Sequence, residues 1–259
     1  MKQLFYKYQG TGNDFVMIDN RKDVFEKHNT ALIAHLCNRR TGVGADGLIL
    51  LESEPGYDFR MVYFNADGNE STMCGNGGRC IVAFANFLGI VEKNTKFLAI
   101  DGPHLARIDD AYVELKMQDV SSISSNDNYH ILDTGSPHYV ALQSGLQAID
   151  MNVAGAKIRH TPPFDIEGVN VNFAEKINDN TFSIRTYERG VEGETLSCGT
   201  GATAVAIAMF HCNQTTSKSI SLETQGGVLK VRFKPISSSY SDVWLCGPTK
   251  QVFKGDLEW

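Results

Sequence analysis

The chain has 259 residues, 42% apolar and 21% charged, a globular composition with room for one large core or two ordinary ones. Its formal net charge of −6 comes without a basic block, which speaks against nucleic-acid binding through phosphate neutralisation. The start MKQLFYKYQG lacks the apolar run of a signal peptide, and stretches such as Ala202 to Phe210 are too short to span a bilayer. A cytoplasmic protein with free thiols and no membrane segment is expected.

Taken in order, Leu4 to Tyr8 and Phe15 to Asp19 read as strands. Thr30 to Asn38 reads as a helix that Asn29 can cap. Gly47 to Glu52 and Tyr57 to Asn65 read as strands, and Gly75 to Leu88 as a buried helix carrying Ile81, Val82, Ala83, Phe84, Phe87 and Leu88. Lys96 to Asp101, Leu105 to Asp109 and Tyr112 to Met117 suggest a strand meander. The polar stretch Ser121 to Asn128 suggests a linker or loop. Strands are then expected at Tyr129 to Asp133, Tyr139 to Gln143, Val169 to Phe173 and Thr181 to Tyr187. A second buried helix is expected over Thr200 to Cys212, followed by strands at Ser219 to Thr224, Gly227 to Lys234 and Val243 to Cys246.

This second series repeats the first. Thr11-Gly12 stands before Phe15-Val16, as Thr134-Gly135 stands before Tyr139-Val140. Downstream, Glu70 to Gly77 and Glu194 to Gly201 share the pattern E-[ST]-x-x-C-G-x-G and both run into an apolar helix. Gly12 and Cys74 are 62 positions apart (74 − 12); Gly135 and Cys198 are 63 apart (198 − 135). Two matched marks at nearly equal separation indicate an internal duplication. The predicted fold class is α/β (α+β), with two similar lobes related by a pseudo-twofold axis and a ligand cleft where they meet.

Six cysteines are scattered along the chain, with no CxxC spacing of a zinc or redox site. Any one of them reads first as a buried small hydrophobe. Cys74 and Cys198 differ, because each precedes a glycine-rich turn that opens a helix. Unpaired N–H groups and the positive end of the helix dipole favour a thiolate there, and the same groups can hold a carboxylate. Gly75, Gly77, Gly199 and Gly201 are expected to let the backbone approach such a ligand. Two thiols facing one α-carbon could remove a proton from one face and return one to the other, inverting the centre without a cofactor.

The chain resembles the diaminopimelate epimerases along nearly its whole length. The residues that carry the resemblance are GTGNDF (Gly10 to Phe15), RTGVGADG (Arg40 to Gly47), FNADGNESTMCGNGGRC (Phe64 to Cys80), DGPH (Asp101 to His104), GSPH (Gly135 to His138), GVNVNF (Gly168 to Phe173) and YERGVEGETLSCGTGA (Tyr187 to Ala202). The resemblance implies two lobes, residues 1–118 with 248–259 and residues 119–247, each a curved, mostly antiparallel or mixed sheet around a central helix. It implies interconversion of LL- and meso-2,6-diaminopimelate for lysine and peptidoglycan precursors, with no cofactor, no metal, and a homodimer. Cys198 would take the proton from the LL isomer and Cys74 would return one.

By the same resemblance, Gly75, Asn76, Gly199 and Thr200 would hold the α-carboxylate. Asn13, Asn65, Asn170, Glu188 and Arg189 would hold the far end, and His138 and Glu188 would tune the thiols. Alone, Asn13 and Asn65 read as turn residues, Glu188 and Arg189 as a solvated pair, and His138 as a loop histidine. Many family members have Gln where this chain has Gly47 and Asn where it has Ser136, and the stretch around Glu192 carries one residue more. The same chemistry on proline, hydroxyproline or histidine is the alternative, disfavoured by Arg189, Asn65 and Asn170, which suit a second charged end. A noncatalytic protein of the same fold would lack the cysteine pair.

Overall fold

Short β-branched and aromatic runs between Gly, Asn and Asp turns make this chain mostly strand. The computed structural model describes residues 2–258; Met1 and Trp259, which the expected first lobe includes, lie outside the described residues. The elements of the first part are β1 (Lys2–Gly10), β2 (Asn13–Asp19), α1 (Thr30–Cys37), β3 (Gly47–Glu52), β4 (Arg60–Asn65), α2 (Gly75–Phe87), β5 (Asn94–Ala99), β6 (Gly102–Asp109) and β7 (Tyr112–Lys116). Then come β8 (Ile123–Ser125), β9 (His130–Asp133), β10 (Pro137–Leu142), α3 (Met151–Arg159), β11 (Asn170–Asn178), β12 (Thr181–Glu188), β13 (Gly193–Thr195), α4 (Gly199–His211), β14 (Ser219–Thr224), β15 (Gly227–Ile236), β16 (Ser239–Pro248) and β17 (Lys250–Glu258).

The chain divides into two compact units. One runs to Leu115 and resumes at Gly247; the other is Lys116–Cys246. In the first, the strand order is β17-β1-β2-β3-β4-β5-β6-β7, with β2–β3 and β4–β5 parallel and the other pairs antiparallel. In the second, the order is β8-β9-β10-β11-β12-β14-β15-β16, with β10–β11 and β12–β14 parallel and the rest antiparallel. The two orders match strand for strand, which is the duplication expressed as topology. Each unit wraps its sheet against one apolar helix, α2 or α4, whose inward residues are fully buried.

The matched Thr-Gly marks have a structural reason. Thr11 and Gly12 both take positive φ (52° and 85°), as a tight two-residue hairpin between β1 and β2 requires. Thr11 Oγ1 then accepts from Arg79 of α2 at 3.3 Å. In the second unit, Thr134 Oγ1 donates to Thr200 O of α4 at 2.9 Å. Each turn is therefore fastened to the first turns of its central helix.

Two expectations need correction, and three elements went unread. Residues Ser121 to Asn128 are not simply a linker: Ile123–Ser125 pairs with β9, and its Ser-rich composition suits an exposed edge. The strand expected from Tyr57 starts only at Arg60, since a turn at Pro55 and Gly56 leads into a bend at Tyr57 and Asp58. Helix α3 went unseen because its apolar face is thin; Asp150 caps it by accepting from Val153 N at 3.1 Å. Gly155 lets α3 lie on β12, where a Cβ would stand 2.4 Å from Tyr187. Short β13 and the last strand, β17, were also missed. By contrast, Asn29 caps α1 as expected, accepting from Leu32 N at 3.0 Å.

Candidate active site

The first half-site forms at the N-terminus of α2. Cys74 is the N-cap residue, extended at φ −95° and ψ 129°, so its sulfur lies at the same end of the helix as the backbone N–H groups of the first turn. Register places Phe15 opposite Gly47 and Gly47 opposite Asn65. Side chains alternate along strands, so Asn13, Phe15, Gly47, Tyr63 and Asn65 fall on the sheet face that packs on α2.

Cys74 Sγ donates to Asn13 Oδ1 at 3.6 Å, and Asn76 Nδ2 donates to the same oxygen at 3.3 Å. Asn13 Nδ2 donates to Asp46 Oδ2 at 2.6 Å. Beneath the turn lies Arg79, fully buried, which donates to Gly75 O (3.3 Å) and Asn76 Oδ1 (3.0 Å). A buried cation is costly unless its donors are used, and these bonds tie it to the thiol's own turn. Asn65 stands exposed at the end of β4, where its backbone closes the loop through Asn69 and Gly68.

Gly47 leaves no vacancy. A Cβ there would lie 2.5 Å from Phe64 O and 2.6 Å from Cε2 of Tyr63, whose phenol fills the space. The glycines of the helix also differ from expectation. Gly77 faces Ile49, Met61 and Phe15, and Gly201 faces Asn172 Oδ1 at 2.5 Å. Both are small for close helix–sheet packing, not for approach to a ligand.

The second half-site repeats the plan at α4. Cys198 is the N-cap, extended at φ −117° and ψ 114° and 7% exposed. Its sulfur accepts from Gly201 N at 3.4 Å and lies 3.4 Å from Thr200 Oγ1. Asn170 Nδ2 donates to Ser136 Oγ at 2.9 Å, and Asn170 Oδ1 accepts from Arg189 N at 2.9 Å. Arg189 also donates to Glu167 O (2.8 Å) and to Ser136 Oγ (3.4 Å). The serine hydroxyl thus links two residues assigned by resemblance to the substrate's far end.

His138 is no loop histidine. It is fully buried on β10, and burial, aided by the nearby Arg189 charge, pushes its pKa down to about 3. It is neutral at pH 7. Glu188 Oε1 accepts from Thr195 Oγ1 and Glu188 O from Glu192 N. Glu192 stands at a positive φ of 55°, uncommon for a residue with a side chain. Its carboxylate accepts from Gly190 N and Tyr187 Oη at 3.1 Å each and lies near Arg159 and His160 of the α3 end. Three residues that sequence reading passed over, Asp46, Arg79 and Asn172, hold these groups in place. For Arg79 the signal was a lone cation in an apolar helical run.

A sequence model of the diaminopimelate epimerase family matches residues 5–117 and 130–245. The chain belongs to the diaminopimelate epimerase family. The diaminopimelate epimerase of Flavobacterium psychrophilum is 54% identical over 250 residues, covering 96% of this chain and 98% of that protein. That of Chlorobaculum tepidum is 42% identical over 257 residues, with 96% and 98% covered. Among solved structures, a phenazine biosynthesis protein of the PhzF family from Bacillus anthracis is similar at TM-score 0.77 and 12% identity, covering 100% of both chains. A hydroxyproline epimerase from Agrobacterium vitis is similar at TM-score 0.68 and 14% identity, covering 99% of this chain and 92% of that one. At such identities the last two show a shared fold. As a diaminopimelate epimerase family member the chain is an isomerase, and among its described residues no helix is long and apolar enough to cross a membrane.

Proposed function

We propose that the chain interconverts LL- and meso-2,6-diaminopimelate by two-base proton transfer between Cys198 and Cys74. The supporting observation is the repeated placement of these cysteines: each is the N-cap of the central helix in its own unit. The Cys198 thiolate takes the α-proton of the LL isomer. The electron pair left behind spreads into the carboxylate as an enediolate. The Cys74 thiol gives its proton to the opposite face. This leaves Cys198 as thiol and Cys74 as thiolate, and exchange with water resets the pair.

An amino-acid α-hydrogen is a weak acid, so the enediolate needs donors already in place. The helix N-termini at Gly75, Asn76, Gly199 and Thr200 supply them. Asn65, Asn170, Glu188 and Arg189 would hold the distal amino and carboxyl groups, Arg189 through charge-assisted bonds. Asn13 would contribute at the Cys74 side. A homodimer and a cytoplasmic location accompany this reading; light scattering and cell fractionation test them.

The test is incubation of LL-diaminopimelate with purified protein in D2O, without added cofactor. The expected product is meso isomer carrying solvent deuterium at the inverted carbon. Turnover of proline, hydroxyproline or histidine with none of diaminopimelate would replace the substrate assignment.

A further inference from the structure

The GADG segment around Asp46 carries no function in the proton-transfer scheme, yet Asp46 is hydrogen-bonded into the first half-site. Its carboxylate can only accept. At 2.6 Å it therefore takes the N–H end of the Asn13 amide. The Asn13 oxygen is thereby turned toward Cys74 and Asn76. The other end of the chain of amides is fixed as well. Arg79 can only donate, so it takes the oxygen of Asn76 at 3.0 Å and leaves the Asn76 N–H for Asn13. Two charges, Arg79 and Asp46, thus set the sense of the Asn76–Asn13 and Asn13–Cys74 contacts between them. With an amide oxygen 3.6 Å from its sulfur, Cys74 must be the donor, which requires the S–H form.

Cys198 has different partners. Gly201 N–H can only donate, and it points at the Cys198 sulfur at 3.4 Å, a bond that favours the thiolate; the Thr200 hydroxyl, also at 3.4 Å, can turn to donate to the same sulfur. Asp46 is itself fastened. Arg39 bridges Asp46 Oδ1 (2.8 Å) and Asp14 Oδ1 (2.7 Å), and Asp14 N donates to Asp46 Oδ2 at 3.1 Å.

We infer that Asp46 is a positioning residue that, through Asn13, holds Cys74 protonated in the resting protein while the α4 turn holds Cys198 as thiolate. This deepens the two-thiol reading and rests on it. The device selects which thiol begins as acid and which as base, so it favours one direction of the first half-turnover.

The polarity is tested without substrate, by ultraviolet thiolate absorbance at neutral pH. Cys74→Ser should keep the signal and Cys198→Ser should lose it. Burial holds Cys37 and Cys80 up at about 12, so neither contributes. A signal that follows Cys74 overturns the inference even if diaminopimelate is turned over. Asp46→Ala should lower kcat from the LL isomer about ten-fold with KM within about two-fold, the loss of roughly one charged hydrogen bond. In a Cys198→Ser background it should also raise a thiolate signal from Cys74. Asp46→Asn, which can still accept from Asn13, should restore most of kcat. Unchanged kcat in Asp46→Ala overturns the positioning role. Absence of wild-type turnover overturns the parent reading, and the positioning role with it.

Discussion

Asn172 Nδ2 lies 3.0 Å from Nδ1 of His138, both side chains fully buried in the second unit. The same Nδ2 donates to Tyr139 O at 3.0 Å and Asn170 O at 3.3 Å, and Asn172 Oδ1 accepts from Thr186 Oγ1 at 2.9 Å. Two carbonyls and a hydroxyl fix the amide with its NH2 toward the ring, so His138 Nδ1 carries no proton and the neutral ring holds its proton on Nε2. The histidine can influence the site as a neutral ring, not as a cation.

This gives a first prediction. Burial depresses the His138 pKa to about 3, so its ring stays neutral throughout the range in which an ordinary histidine titrates. Nitrogen-15 NMR should show an Nε2–H tautomer unchanged between about pH 5 and 8. Because the unfolded histidine charges near its ordinary value, stability should fall as pH drops below about 6.5. A His138 midpoint near that value in the folded protein would contradict the assignment.

Gly201→Ala should damage both packing and chemistry. Its Cβ would stand 2.5 Å from Asn172 Oδ1 and 3.3 Å from Cys198 Sγ. Overpacking of this kind costs about 1–3 kcal/mol. A lowered urea midpoint and a kcat reduced at least several-fold are expected. An alanine variant with wild-type stability would show that the turn relaxes freely.

Gly47→Ala tests whether the missing side chain at this position is a gap or a filled space. With Phe64 O and Tyr63 so close, alanine should destabilise by about 1–3 kcal/mol. Pairing it with Tyr63→Ala should recover only part of this loss, because the Phe64 carbonyl stays in place. Full recovery in the double variant would assign the whole clash to the phenol.

Asp14 should govern part of the acid stability. Burial raises its pKa, but hydrogen bonds from Arg39 and Lys7 outweigh that and hold it at about 2. A carboxyl lowered on folding contributes stability above its unfolded value and loses it as pH falls toward the folded one. Asp14→Asn should therefore remove on the order of 1–2 kcal/mol at pH 7 and flatten the stability profile between about pH 4 and 2. Denaturation curves at these pH values check both; an unchanged slope would remove the ion pairs from the stability account.

Much of this was legible in the chain itself. The Cys74 and Cys198 contexts announced two helix N-termini because glycine and apolar periodicity act locally. Strand order repeats between the units because the same Thr-Gly and Cys-Gly-x-Gly marks recur. Other features depend on distant partners and left no local trace. Asp46 is one position of the RTGVGADG motif with no role of its own until β2 brings Asn13 beside it. Asn172 reads as one more strand position until Gly201 of α4 packs on its oxygen. Gly77 and Gly201 read as ligand-facing because their motif is glycine-rich, whereas the sheet side chains against them decide their size. Helix α3 depends on Tyr187 and the Asp150 cap more than on its own weak apolar face.

The central claim is that two thiols carry the proton. Cys74→Ala and Cys198→Ala should be assayed separately for conversion of LL- to meso-diaminopimelate in D2O, with circular dichroism to confirm the fold. Each variant should keep the wild-type spectrum and lose epimerisation with its accompanying deuterium incorporation. A folded variant of either cysteine that still forms deuterated meso product would contradict the two-base account.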